Sequence, residues 1–121
     1  MGIRILIVDD DAGFLGLAAE LLAERGFEVL GNATDAAQAL DAAVRERPDA
    51  ILLDINLPGR DGFATSAILA GACPSAAIVL TSADVRYLAA ETLRSCSAVA
   101  FVPKEDLALT DLGELFRRAG T

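Results

Sequence analysis

The residues best able to do chemistry in this chain stand directly after short apolar runs. Asp9, Asp10 and Asp11 follow the run 3–8, Asp54 follows 50–53, Thr81 and Ser82 follow 77–80, and Pro103 and Lys104 follow 98–102. Carboxylates crowded within a few ångströms repel one another. Such a cluster is stable only when protonated or when it holds a hard cation, and oxygen ligands with open water positions favour Mg²⁺. A divalent ion held there would bridge to a phosphoryl oxygen. One Asp carboxylate could then attack phosphorus in line to form an acyl phosphate, while Lys104 and the Thr81 hydroxyl contact the other phosphoryl oxygens and offset their charge. Each residue alone has an ordinary reading, since an acid after a strand commonly caps the next helix and a Thr there is commonly only a strand residue. Their recurrence at four run ends is what points to a site.

Those groups meet only if the apolar runs are strands of one sheet. Runs of four to six residues alternate with longer stretches of helical period, the signature of repeated βα units. The pattern predicts strands over 3–8, 27–31, 50–53, 77–80 and 98–102. The first helix is predicted over 12–25, with Phe14, Leu17, Ala18 and Leu21 inward and Gly26 as its stop. A second runs from Thr34 or Asp35 as cap to about residue 47, with Ala37, Leu40, Ala43 and Val44 inward and Pro48 ending it. Further helices are predicted over 63–70, 84–93 and 109–118, the last with Leu112, Leu115 and Phe116 on one face. Parallel strands joined by right-handed crossovers give an α/β, doubly wound open sheet with helices on both faces, and ligands in such sheets collect at the carboxyl ends of the strands.

Composition narrows the rest. A chain of 121 residues, 54% hydrophobic and 23% charged with four prolines, reads as a single domain over 1–121. A net charge of −8 argues against direct nucleic-acid binding, which needs clustered cations. No apolar run nears the ~20 residues of a membrane helix. The amino terminus lacks a signal-peptide layout, and Leu6 stands where a myristoylation motif wants Ser or Thr. A cytoplasmic protein is expected. Without histidine there is no Ser-His-Asp or Cys-His catalysis and no His-ligated zinc. Cys73 and Cys96 match neither a disulfide scaffold nor a metal pair and read as thiols of a reducing compartment. Nine of the ten cations are arginines, and the single lysine is Lys104.

Taken together, Leu6-Ile7-Val8-Asp9-Asp10-Asp11, the segment from Leu53 to Gly62, Leu80-Thr81-Ser82 and Phe101-Val102-Pro103-Lys104 resemble the receiver domain of response regulators in two-component signalling. The resemblance covers essentially the whole chain. It implies a flavodoxin-like sheet of strand order 2-1-3-4-5. It also implies that Asp54 accepts a phosphoryl group from a sensor histidine kinase or phosphotransfer protein in a Mg²⁺-dependent reaction and slowly loses it to water. Asp9 and Asp10 match the acidic pair that holds Mg²⁺ together with Asp54 and the backbone carbonyl of Asn56. Asp11 falls at a variable position and reads as a solvated residue near the first helix. Thr81 matches the switch hydroxyl, Lys104 the phosphate-contacting lysine, and Phe101 the aromatic that turns inward when Thr81 moves. Asp61-Gly62 matches the turn into the third helix, where Gly62 relieves a backbone constraint. The switched face would be built from the helix 84–93, the last strand and the closing helix. It would include Asp84, Val85, Arg86, Tyr87, Phe101 and Lys104, with Arg86 and Tyr87 as candidate partner contacts.

Two positions depart from the family pattern. Many receivers follow this lysine with a proline joined by a cis peptide, whereas Glu105 follows Lys104 here. A cis bond before a non-proline residue costs about 2.5–4 kcal/mol, so a trans bond and a differently shaped loop are expected. Ser82 stands where alanine is common and adds a hydroxyl able to reach the phosphoryl group or a water. Both bear on the lifetime of the phosphorylated form.

The expected output is control of a downstream partner protein or of a fused output domain, and the resemblance also allows a phosphorylation-dependent homodimer. The sequence ending at Thr121 reads equally as a stand-alone receiver and as the receiver part of a longer protein. Two other readings were weighed. One is a receiver-like docking module that works without phosphorylation, although every position such a module would lose is filled. The other is a flavin or nucleotide binder of the same topology, which would want a Gly- or hydroxyl-rich loop where Asp9-Asp10-Asp11 would repel a phosphate unless a metal intervened.

Overall fold

The computed structural model describes residues 2–57, 61–83 and 98–119. Five strands, β1 (Arg4–Val8), β2 (Glu28–Ala33), β3 (Ala50–Asp54), β4 (Ala77–Ser82) and β5 (Ala100–Pro103), form one parallel sheet in the order β2-β1-β3-β4-β5. Every residue of β3 and β4 is buried, as are the last four of β1. A strand covered on both faces reads as a continuous apolar run, which is why these three stood out in the sequence. Alternate residues feed two separate cores. Ile5, Ile7, Leu52 and Val79 pack with α1 (Ala12–Glu24) and a closing helix (Leu112–Ala119), whereas Leu6, Val8, Ile51, Leu53 and Leu80 pack with α2 (Ala36–Glu46) and α3 (Gly62–Ala72). The doubly wound arrangement expected from the sequence is the one observed.

Helix starts draw on the acids. Asp11, Asp35 and Asp61 are the N-caps of α1, α2 and α3, and their carboxylates accept from backbone N–H groups that no helical carbonyl can reach. Asp11 accepts from Gly13 at 3.0 Å and Phe14 at 3.3 Å, so it is an exposed cap residue, in line with its expected place outside the site.

The inward stripes of α1 and α2 differ from expectation. In α1 the buried residues are Leu15, Ala18 and Leu22, while Leu17 is 69% exposed and Phe14 and Leu21 are half-buried. The segment offers apolar residues on almost every face, so several stripes of helical spacing compete and packing against the sheet selects the phase. In α2 the buried residues are Ala39, Ala42 and Ala43, with Ala37 and Val44 exposed, because small side chains let the helix axis approach the sheet. Strands β3 and β4 run on to include Asp54, Thr81 and Ser82, so these side chains issue from strand backbone itself. The closing helix begins three residues later than predicted, since a 3-10 turn over Lys104–Leu109 takes up the preceding residues and leaves Leu109 at its end 89% exposed. Leu112 and Phe116 are buried in the closing helix and Leu115 is half-buried, as expected.

That turn is the differently shaped connection predicted from Glu105, and no cis peptide occurs among the described residues. It is held from α1. The guanidinium of Arg25, just past the end of α1, donates to the carbonyl oxygens of Leu107, Ala108 and Thr110. The Leu107 side chain is buried in the core below. The helix expected over 84–93, and Cys96, lie outside the described residues. Cys73 is buried and free, with its thiol 3.9 Å from the Pro48 carbonyl oxygen.

Candidate functional site

The carboxyl ends of β1, β3, β4 and β5 do converge. Asp54 closes β3 directly beside its register partner Thr81 on β4, and Thr81 is in turn paired with Val102 on β5, two residues before Lys104. Asp9 leaves β1 with its backbone N–H tied to the Ala33 carbonyl at 2.9 Å. Asp9, Asp10 and Asp54 each offer a carboxylate oxygen within 4.8 Å of the others. Asp9 and Asp54 are buried, whereas Asp10 is exposed. Lys104 reaches into the cluster from the start of the 3-10 turn, its ammonium 2.8 Å from Asp9 Oδ2 and 3.6 Å from Asp54 Oδ2.

The remaining oxygens are held by backbone. Asp9 Oδ1 accepts from the Asp11 N–H at 2.9 Å and Asp54 Oδ1 from the Asn56 N–H at 3.0 Å. These bonds orient both carboxylates so that their Oδ2 atoms face the shared space. Among the described residues, Lys104 is the one neighbour meeting Asp9 Oδ2, and the buried Thr81 hydroxyl has no hydrogen-bond partner. Burial raises the Asp54 pKa above the ordinary carboxylate range. The Asn56 N–H opposes the rise, the Asp9 charge adds to it, Lys104 opposes it and Asp10 adds again. At Lys104 burial disfavours the ammonium, but the hydrogen bond to Asp9 and the charges of Asp54, Asp9 and Asp11 outweigh it and raise its pKa.

Two contacts here have no counterpart in the sequence reading. The Asn56 side-chain amide donates to the Ser82 hydroxyl at 2.7 Å, linking the loop after β3 to the end of β4. The Lys104 ammonium lies 4.3 Å above the centre of the Phe14 ring, so this side chain, which packs against the core as its helical spacing predicts, also faces the lysine. Gly62 relieves a backbone constraint, as expected, and the structure shows which one. A Cβ there would lie 2.2 Å from Ile55 Cα and 2.7 Å from its carbonyl oxygen, so the requirement is close approach of two backbones and not an unusual dihedral. Phe101 is half-buried against the α2–α3 core, with Leu80 as its register partner. Asp84, Val85, Arg86 and Tyr87 lie outside the described residues.

Chemically, two buried carboxylates with a third at the rim suit a hard divalent cation. The donor set fits Mg²⁺, because each acid has an oxygen free of backbone bonds and the buried charge is only partly offset by one ammonium. The family model of the response regulator receiver domain matches residues 5–114. The chain belongs to the response regulator receiver family.

Relatives of this receiver carry varied outputs. It is 35% identical over 114 residues to a protein-glutamate methylesterase/protein-glutamine glutaminase of Archaeoglobus fulgidus, covering 93% of the chain and 32% of the relative. It is 34% identical over 101 residues to the transcriptional regulatory protein PdtaR of Mycobacterium tuberculosis, covering 84% of the chain and 49% of that protein. The receiver thus spans about half or less of the length of these relatives. Among solved structures it superposes on the response regulator domain of Thermotoga maritima CheB with a TM-score of 0.82 at 26% identity, covering 99% of this chain and 97% of that one. A response regulator of Burkholderia pseudomallei, solved with a phosphorylated aspartic acid, a calcium ion and citrate, superposes with a TM-score of 0.82 at 26% identity over 93% of this chain and 66% of that one. No helix among the described residues is long and apolar enough to cross a membrane.

Proposed function

We propose that this receiver takes a phosphoryl group onto Asp54 from a histidine kinase or phosphotransfer protein in the cytoplasm and uses the modified state to control a partner protein or a fused output domain. The observation that carries this is the Asp54 carboxylate. It is buried at a strand end, oriented by the Asn56 N–H, and faced by one ammonium, two further acids and a hydroxyl that has no partner among the described residues. The Burkholderia relative was solved with a phosphorylated aspartic acid and a calcium ion, and phosphorylation of an aspartate with a divalent cation suits this donor set.

The Asp54 carboxylate attacks phosphorus through one of its oxygens as the bond from phosphorus to the donor breaks, and the donor leaves with that electron pair. Asp9, Asp10, Asp54 and the Asn56 backbone carbonyl would hold Mg²⁺, which when bound supplies the positive charge that lets an anionic donor approach anionic acids. Lys104 exchanges its contact with Asp9 for a phosphoryl oxygen, and the Thr81 hydroxyl, which has no partner among the described residues, finds one in that group. Movement of Thr81 then favours an inward Phe101, and Arg86 and Tyr87 belong to the surface that reads the change. Incubation with Mg²⁺ and acetyl phosphate should add about 80 Da, the mass of one phosphoryl group, to the wild type and nothing to Asp54→Ala. An unmodified wild type, or an adduct retained in the variant, rules the reading out.

A further inference from the structure

We infer that Phe14 is a positioning residue for Lys104, and that the site depends on this work once a divalent cation occupies the acids. The inference rests on the metal and lysine roles proposed above. Lys104 is held inward by three neighbours, the carboxylates of Asp9 and Asp54 and the ring face of Phe14. Its side chain is 16% exposed, and a flexible four-carbon stem gives it an easy path back to water.

A cation placed on Asp9, Asp10 and Asp54 neutralises the charge that attracts the ammonium and adds a repulsion of its own. The ring is uncharged, so its attraction for the ammonium survives metal binding unchanged. A desolvated contact of this kind is worth enough to shift an inward–outward equilibrium by about three- to thirtyfold. The competent, inward lysine would otherwise be depleted in the very state that must meet a phosphoryl group, and apparent affinity falls in proportion to that population. Phe14 is placed for this by the first turn of α1, which the Asp11 cap fixes through its bond to the Phe14 N–H itself.

Because Lys104 is the single lysine, an amine-reactive reagent has two targets, the α-amino group and Lys104, which peptide masses resolve. The test measures the Lys104 labelling rate in wild type, Phe14→Leu and Phe14→Tyr, each without metal and with saturating Mg²⁺. Phe14→Leu should label faster than wild type in both conditions, by up to about three- to thirtyfold while the lysine is mostly inward, whereas Phe14→Tyr, which keeps the ring, should match wild type in both. Phe14→Met, unbranched and ringless, repeats the measurement should the leucine variant fold poorly. A Mg²⁺-binding wild type whose ringless variants label at its own rate in both conditions overturns this inference alone, as does faster labelling that Tyr does not correct. A wild type that takes up no Mg²⁺ by calorimetry overturns the metal reading and this inference with it.

Discussion

The Lys104 ammonium sits 2.8 Å from Asp9 Oδ2, on the oxygen that a metal at this site would need. Lysine and metal therefore compete for the same oxygen, and each can serve as the counter-charge of a buried acid. Lys104→Ala should bind Mg²⁺ as tightly as wild type or up to about tenfold more tightly, by calorimetry, because the cation no longer displaces an ion pair. Without metal the same variant should melt lower, since breaking a buried pair leaves its partner uncompensated at a cost of about 3 kcal/mol, and Mg²⁺ should recover most of the loss. Loss of Mg²⁺ binding in Lys104→Ala would mean that the ammonium supports the metal site instead of opposing it.

Asp54 carries a cost that its amide isostere would remove. Its pKa is raised, first by burial and then by the charges of Asp9 and Asp10, so the folded state holds the Asp54 proton more firmly than the unfolded chain does. Ionised Asp54 thus destabilises the metal-free fold at pH values above its unfolded pKa, and the penalty fades as pH falls through the higher folded pKa. Asp54→Asn should be more stable than wild type at pH 7 by about 1 kcal/mol, a few degrees in Tm, and the gap should narrow on acidification toward pH ~4. Paired thermal melts across that range check the sign. A variant less stable at pH 7, or a gap that widens in acid, contradicts it.

Thr81 offers the corresponding test on the neutral side of the site. Its hydroxyl is buried beside Asp54 without a partner among the described residues, and an unpaired buried hydroxyl costs about 1–3 kcal/mol. Thr81→Val should raise the Tm of the unphosphorylated protein by roughly 1 kcal/mol of stability and should still accept the phosphoryl group on Asp54. Mass spectrometry and melts on one sample read both. A variant destabilised by a similar amount would reveal a partner for the hydroxyl in the resting state.

Much of this was legible before any coordinates. Strands sandwiched between two helical layers must be apolar throughout, so β1, β3 and β4 announced themselves, and the acids and hydroxyls after them could only meet at one rim. The lysine was singled out by being alone of its kind. The phase of α1 was not legible, because a segment with Leu15, Leu17, Leu21 and Leu22 supports more than one inward stripe. Phe14 packs against the core as its spacing predicts, and its second contact, with a lysine far along the chain, lies outside any local pattern. Glu105 signalled an unusual loop, but its form as a 3-10 turn gripped by Arg25 depends on carbonyls 82 to 85 residues further along, beyond the reach of any local pattern. The Asn56–Ser82 bond spans 26 positions and escaped for the same reason.

Gly62 and Ile55 touch backbone to backbone, with the Gly62 N–H donating to the Ile55 carbonyl at 3.1 Å. Ile55 is the residue that follows Asp54, so the start of α3 is pinned one position away from the acid cluster. A single added methyl group at position 62 would have to push that backbone aside, and the carboxylate next to it would move with it. The smallest side chain in the protein is thus what lets the third helix stand this close to the end of β3.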